Sequence, residues 1–362
     1  MTTMDNTTTD TILVTGGAGF IGANFIHFIL RNRPELRVIN LDALTYAGNL
    51  SSLAGLPPEQ RDRHIFVHGD IRDTELLARL FEQYPGKGVI HFAAESHVDR
   101  SIHGPKVFVD TNVGGTCALL QASLEAWEKQ GRPADYRFHH VSTDEVYGSL
   151  GAAGAFTEKS PYDPSSPYSA SKAASDHFVR AYGKTYGLPC VITNCSNNFG
   201  PFQFPEKLIP LILCNILEEK PLPVYGDGSN VRDWLYVLDH CDALLRVFEQ
   251  GTAGQTYNIG GGAERSNLDI VKQLCRILDE KRGRSPGSSE SLITFVKDRP
   301  GHDFRYAIDA TKINRELGWQ PRHSFAEALG GTVNWYLANM DWVESVRSGA
   351  YRHWLELNYQ KR

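Results

Sequence analysis

The sequence predicts an α/β protein: a doubly wound parallel sheet of Rossmann type, followed by a smaller, discontinuous C-terminal substrate domain. Three observations predict it. Short β-branched runs alternate with longer amphipathic stretches through the first half, the pattern of parallel strands covered by helices. The first run, TILVT, leads straight into a glycine-rich turn and then a helical pattern. After Asn197 that alternation stops, and proline and glycine cluster in long loops.

Taken in order, the apolar runs place strands at 11–15, 38–42, 65–68, 88–93, 137–142 and 190–194. Helical periodicity lies between them at 21–31, 74–83, 113–129 and 169–186. Right-handed strand–helix–strand crossovers wind such units into one sheet. Beyond Asn197 the stretches NFGPFQFPEKLIP and KPLPVYGDGSNVRDW read as loops around a short helix at 209–218. Helices resume at 238–249 and 267–281, and 282–291 (RGRSPGSSES) reads as a polar surface loop. The aromatic tail containing Trp335, Tyr336, Trp342 and Trp354 is expected to pack back on the body. Residues 1–195 are expected to form the dinucleotide domain, with a segment returning to it near 226–250. Residues 196–225 and 251–362 are expected to form mainly the substrate domain.

Composition narrows the function. A chain of 362 residues, 41% of them hydrophobic, suffices for one large domain or two unequal ones. The net charge of −5 gives nucleic-acid binding no electrostatic support. No run of about 18 apolar residues exists, so no membrane partner is expected. The opening MTTMDNTTTD lacks the apolar core of a secretory leader. The six cysteines include no CxxC pair and the histidines show no HExxH spacing, so no metal site is expected. Scattered thiols of this kind read as reduced, which implies a cytoplasmic setting.

The glycine turn is the first chemical signal. Gly16 permits the tight turn, Gly19 lets backbone approach a pyrophosphate, and Gly22 lets the helix pack closely on the strand. The helix N-terminus then offers free N–H groups to phosphate. Asp42 closes the next strand, 20 residues past Gly22, where a carboxylate meets the adenosine ribose hydroxyls. It would repel a 2′-phosphate, so NAD is expected over NADP. Asp70, ending the third strand, stands where it and Ile71 can reach the adenine.

The second signal is Tyr168-Ser169-Ala170-Ser171-Lys172, which sets Tyr168 and Lys172 one helical turn apart on one face. A phenol ordinarily titrates near 10. A neighbouring ammonium, together with a positively charged nicotinamide ring, favours the phenolate and makes it a base for an alcohol proton. The third is Thr143-Asp144-Glu145 at the carboxyl end of a predicted strand, where ligands of such sheets bind. Alcohol oxidation alone needs no carboxylate, whereas two carboxyls in different environments divide into acid and base. Strand alternation sends neighbours to opposite faces, so both act together only if the chain turns here.

The segments TGGAGFIG, AAESHVDRSI, VSTDEVYG, PYSASKA, NCSNNFGPFQFPEKLIP, GDGSNVRDWLYVLDH and DRPGHDFRYAID resemble, in that order, those of dTDP-glucose 4,6-dehydratases. These are extended short-chain dehydrogenases/reductases, and the likeness runs from about Ile12 to the C-terminal region. The resemblance implies a hydro-lyase with tightly bound NAD. In it Tyr168, with Lys172 and Thr143, takes the C4 hydroxyl proton while NAD accepts the hydride. Glu145 removes the C5 proton, Asp144 protonates the departing C6 hydroxyl, and the hydride returns to C6. By the same carry-over Phe20, Ile21, Asp42, Ala43, Leu44, Thr45, Asp70, Ile71, Ala93, Ala94, Glu95, Thr111, Tyr168, Lys172 and Asn198 hold NAD. Ser96, Thr143, Asn197, Glu206, Lys207, Leu208, Pro223, Val224, Tyr225, Arg232, Asn267, Asp298, Arg299, Pro300, Gly301 and His302 hold the nucleotide sugar. Guanidinium forks suit Arg232 and Arg299 to a diphosphate. Phe199 and Phe202 stand where the family commonly has tyrosine, and Phe304 where it has a basic residue. The resemblance also implies a homodimer, paired through the helices at 113–129 and 169–186.

Three rival readings share part of these signals. A nucleotide-sugar 4-epimerase shares the glycine turn and the Tyr168–Lys172 pair but has no use for Asp144 and Glu145. A dehydratase of a UDP, CDP or GDP sugar would differ only in loop contacts to the base. A silent NAD-sensing scaffold would have lost Tyr168, Lys172 or a carboxylate, and all are present.

Overall fold

The computed structural model describes residues 10–298 and 301–347. Its strands, in chain order, are β1 (Thr11–Thr15), β2 (Arg37–Asp42), β3 (His64–His68), β4 (Gly88–His91), β5 (Arg137–Thr143) and β6 (Cys190–Cys195). They continue with β7 (Asn197–Phe199), β8 (Leu222–Tyr225), β9 (Val231–Tyr236), β10 (Thr256–Ile259), β11 (Glu264–Ser266) and β12 (Ile293–Val296). The main sheet runs β10-β6-β5-β4-β1-β2-β3, with every neighbouring pair parallel. The expected doubly wound sheet is therefore present, and the first six predicted strands match it to within a residue or two. β4 ends at His91 rather than 93 because the Phe92 amide donates to Thr15 O and the chain then leaves the ladder beside the Gly16 turn.

Alternation along each strand serves two helical layers. Ile12 and Val14 of β1 face one core, built with α1 (Phe20–Asn32). Leu13 faces the other, built with α2 (Thr74–Gln83), α3 (Thr116–Lys129) and α4 (Pro167–Tyr186). The predicted helix at 113–129 begins instead as π-helical turns over Val109–Gly115, a widening that often marks a functional position. There the Asn112 side chain accepts from Glu95 N at 2.8 Å and donates to Ser171 Oγ at 2.9 Å.

The smaller lobe has its own core, in which α5 (Leu208–Leu217), β8, β9 and α7 (Asn267–Lys281) enclose Ile212, Leu213, Val224, Leu274 and Leu278. Between α5 and α7 in sequence, α6 (Val237–Gln250) returns to the larger core. The return is longer than the expected 226–250. β10 adds the seventh strand, and α8 (Thr311–Leu317) followed by Trp319 packs on it. The isolated quartet TYNI, with polar Thr256 and Asn258 in it, carried too little periodicity to announce a strand. α9 (Phe325–Ala338) and α10 (Met340–Arg347) close the small lobe, where Trp335 and Trp342 pack around Phe202. Trp354 lies outside the described residues. The 282–291 stretch is only partly a solvated loop, since Ser289 is buried and its hydroxyl donates to Asp279 Oδ1 at 2.6 Å.

Candidate active site

A cleft of about 430 Å³ opens along the carboxyl ends of the main sheet, where β1 and β4 diverge toward their helices. Its floor is the glycine turn. Gly16 has φ +73°, and a Cβ there would stand 2.6 Å from Ala93 N. A Cβ on Gly22 would lie 2.2 Å from Gly16 O, which is the close helix–strand packing the sequence implied. On Gly19 a Cβ would meet only Gly16 O, at 3.3 Å, so this face of the turn is open to the cleft. Backbone can therefore approach a pyrophosphate here, and the turn fits a dinucleotide.

Asp42 ends β2 with both carboxyl oxygens engaged, Oδ2 by Ala18 N and Oδ1 by Leu44 N, each at 2.8 Å. Burial pushes its titration up, against those two amides. Asp42 thus ties the turn to its own loop as well as bordering the cleft. Leu44 has φ +50° and sits buried behind Asp42, so it supports the site without lining the cleft. The other expected cofactor contacts do line it: Gly16, Gly19, Phe20, Ile21, Gly22, Asp42, Ala43, Thr45, Asp70, Ile71, Ala93, Ala94, Glu95, Thr111, Tyr168, Lys172 and Asn198.

The reacting end lies where α4 crosses β5. Ser166 caps α4, with Ser169 N donating to its hydroxyl at 3.1 Å and Pro167 in the first turn. This start puts Tyr168 in the first turn and Lys172 one turn on, both buried and both on the cleft. At the end of β5 the chain does turn: Asp144–Tyr147 form a 3-10 turn with Thr143 accepting from Glu145 N at 3.3 Å. The turn breaks strand alternation, so Asp144 and Glu145 both reach the cleft. Their surroundings differ. Asp144 is 2% exposed, and its Oδ2 is a buried atom with no hydrogen-bond partner among the described residues. Burial, then Glu145 and Asp233, push its carboxyl well above the usual range, with Arg232 opposing. Burial therefore favours its protonated form, whereas Glu145 is half-buried at the cleft wall.

The ammonium and a positively charged nicotinamide together are expected to favour the Tyr168 phenolate. In the protein alone the balance runs the other way: burial and then Glu145 raise the phenol well above its ordinary value, with only a Thr143 hydrogen bond opposing. Burial also lowers Lys172, to about 8, and its Nζ donates to Val141 O at 2.9 Å. A dry, fixed ammonium with few competing acceptors is the group that a phenolate needs beside it.

Of the expected substrate contacts, Ser96, Thr143, Asn197, Glu206 and Lys207 line the cleft. Leu208, Pro223, Val224, Tyr225, Arg232, Asn267, Asp298, Gly301 and His302 do not. Val224 is buried in the small core, while Tyr225 and His302 lie edge to face at 6.3 Å, with His302 Nδ1 2.7 Å from Asp298. The Arg232 guanidinium donates to the carbonyls of Val231, Asp303 and Phe304 and covers the Tyr306 ring at 4.3 Å. Arg299 and Pro300 lie outside the described residues. Phe199 is buried against Trp234, Tyr236 and Phe325, whereas Phe304 is exposed.

Sequence reading missed Tyr46, Arg72, Ser196, Gln203 and Phe204, which complete the cleft wall. Arg100, in the short helix Val98–His103, lies over the Tyr46 ring at 3.7 Å and reaches Glu206 at 3.8 Å, joining that helix to two loops remote from it in sequence. No periodicity or motif announces such a contact. Among the described residues no group of three or more His, Cys, Asp or Glu could hold a metal ion.

The comparisons with known proteins agree with this geometry. The family model described as GDP-mannose 4,6 dehydratase matches residues 13–332. A dTDP-glucose 4,6-dehydratase of Xanthomonas campestris pv. campestris is 56% identical over 345 residues, covering 94% of this chain and 97% of the relative. That of Salmonella typhimurium is 54% identical over 362 residues, covering 97% and 99%. Among solved structures, the dTDP-glucose 4,6-dehydratase DesIV of Streptomyces venezuelae, with NAD bound, superposes at a TM-score of 0.84. It is 49% identical and covers 93% of this chain and 99% of its own. A UDP-glucose 4-epimerase of Thermotoga maritima shares the fold at TM-score 0.79 and 28% identity, covering 91% and 99%. With a family model over most of its length and near-full-length relatives sharing more than half its residues, the chain belongs to the dTDP-glucose 4,6-dehydratases.

Proposed function

We propose that this chain converts dTDP-glucose to dTDP-4-keto-6-deoxyglucose, and that Thr143, Asp144, Glu145, Tyr168 and Lys172 divide the proton chemistry. The observation that carries this reading is the pair of adjacent carboxyls brought to one cleft by the 3-10 turn. NAD, when bound, accepts hydride from C4 and returns it to C6, so no net oxidation results. Tyr168 takes the C4 hydroxyl proton, with the Thr143 hydroxyl orienting the reacting group and Lys172 supplying positive charge. The C4 ketone acidifies the C5 hydrogen, and Glu145 takes that proton, then, after exchange with solvent, returns one to C5 as C6 gains hydride. Asp144, held protonated by burial, gives its proton to the C6 hydroxyl, which leaves as water.

A 4-epimerase has no elimination for these carboxyls to serve, and the relatives above half identity carry the dehydratase name. The same relatives favour a dTDP sugar over the GDP sugar in the family model's description. Holoenzyme given dTDP-glucose in deuterated water, with no added cofactor, should yield a 4-keto product carrying solvent deuterium at C5. A parallel panel of UDP-, CDP- and GDP-glucose should turn over more slowly. Faster turnover of another nucleotide, or a 4-epimer product, would replace this reading.

Two further points belong to the same proposal. A homodimer is supported by exposed Phe178 and Tyr186 on α4 and by exposed Val109 at the start of the π-helical turns, large apolar side chains on or next to the expected helix pair. Sedimentation velocity should give the mass of two chains, and a single-chain mass would end this point. A cytoplasmic location is supported by six free cysteines. No helix among the described residues is long and apolar enough to cross a membrane.

A further inference from the structure

Behind Lys172, away from the cleft, lies a closed polar cluster that the chemistry above leaves unused. Asp176, one turn further along α4, is fully buried, as is His140 on β5. His140 Nε2 stands 3.2 Å from Asp176 Oδ1 and 3.4 Å from Lys172 Nζ. Asp176 Oδ2 accepts from the Tyr162 hydroxyl at 2.7 Å, and Arg180 donates to that same hydroxyl at 2.6 Å. Asn194 of β6 lies 3.5 Å from Asp176 and donates to Thr143 O at 2.9 Å, which ties the cluster to the catalytic strand end.

A single nitrogen facing both an ammonium and a carboxylate cannot serve both. With its proton on Nε2, His140 donates to Asp176 and offers Lys172 nothing. With the proton on Nδ1, Nε2 accepts from Lys172 and Asp176 loses its partner. His140 Nδ1 and Asp176 Oδ1 both lack a hydrogen-bond partner among the described residues, and the bond whose geometry is met at Nε2 is the one from Lys172 Nζ. His140 therefore accepts from Lys172 through Nε2, with the Asp176 carboxylate 3.2 Å from the same nitrogen as a buried charge. Lys172 thus spends one N–H on Val141 O and one on His140 and keeps the third for the cleft.

We propose that Asp176, acting through His140, is a positioning residue for C4 oxidation: it is the buried counter-ion that keeps the Lys172 ammonium in place and turned toward Tyr168. An ammonium in a dry site is costly without an anion nearby. The groups acting on Lys172 are Asp176 and Cys195, and of these Asp176 raises its titration most, against burial. Those acting on His140 are Lys172, Asp176 and Arg180, with the His91 ring at 5.2 Å; burial brings His140 down to about 4, so it stays neutral. Asp176 is held below its ordinary value despite burial, chiefly by His140, then by Lys172 and Tyr162, and so remains an anion.

The inference rests on the assignment of Tyr168 and Lys172, and its test separates the two. Lys172 loses its charge as pH rises through about 8, which sets an alkaline limb to the rate. Removing the anion that raises this value moves the limb to lower pH. In holoenzyme, Asp176→Asn should shift the alkaline limb of kcat down by about one pH unit or more. It should lower kcat above that limb by about tenfold, with KM within about twofold and bound NAD unchanged. His140→Leu, which cuts the bridge and adds no buried polar group, should move the limb the same way if the asparagine variant fails to fold. A limb that stays put in a folded variant overturns the proposal, whatever the loss in kcat, because a merely structural role lowers the rate without moving the titration. Lys172→Ala is measured alongside. If it keeps near-native turnover, the Lys172 assignment itself falls; if it is inactive while the limb of the Asp176 variant is unmoved, only the counter-ion role falls.

Discussion

Glu145→Gln should leave C4 oxidation intact while cutting elimination by about 10²- to 10⁴-fold, the usual contribution of a positioned general base. Glutamine keeps the shape and the hydrogen-bonding reach of Glu145 but cannot take a proton. Its neighbour cannot take over. Asp144 is 2% exposed, and burial pushes it well above the usual carboxylate range, which favours the protonated form that its proposed role requires and that cannot serve as a base. Tyr168 carries the C4 proton by the time C5 must lose one. The reaction should therefore stop at the 4-keto sugar with the bound nicotinamide reduced. A single-turnover absorbance trace reads this directly as a reduced signal that rises and fails to decay. A trace that rises and decays at the native rate would assign C5 deprotonation to another group.

Tyr168→Phe should give the opposite trace. The phenylalanine fills the same buried place beside Phe108, whose ring lies 6.4 Å away, so the fold and NAD content should persist. What disappears is the proposed acceptor for the C4 hydroxyl proton, and C4 oxidation should slow by about 10²- to 10⁴-fold. The nicotinamide should then remain oxidised after substrate is added. Burial and Glu145 together hold the Tyr168 phenol high, so the step depends on positive charge arriving beside it. The two variants thus arrest the cycle on opposite sides of hydride transfer. Native-like reduction in the Tyr168 variant would show that another base takes the C4 proton.

Much of the fold was legible because its signals are local. Strand β1, the Gly16–Gly22 turn and the start of α1 follow one another within a single unit, and each step has its own steric reason. The Ser166 cap and Pro167 similarly fix where α4 begins and hence which face carries Tyr168 and Lys172. The carboxyl pair was legible in type but not in arrangement. Adjacent residues of an unbroken strand diverge, and only the 3-10 turn brings Asp144 and Glu145 into one cleft. The seventh strand was missed because TYNI is too short to show a period, and the sheet edge against β6 is what makes it a strand.

The amino-acid order by itself determined the doubly wound sheet, the dinucleotide turn, the carboxylate at the end of β2, and the five side chains proposed for the proton chemistry. These follow from steric and spacing rules that act within a few residues. Tertiary structure alone decided the electrical state of that set. It buried Asp144 and so pushed its carboxyl above the usual range, raised the Tyr168 phenol in the protein alone, and placed His140 and Asp176 behind Lys172. Desolvation and charge–charge interaction depend on which distant segments exclude water and stand within a few ångströms, and that is settled only when the sheet, α4 and the loops pack together.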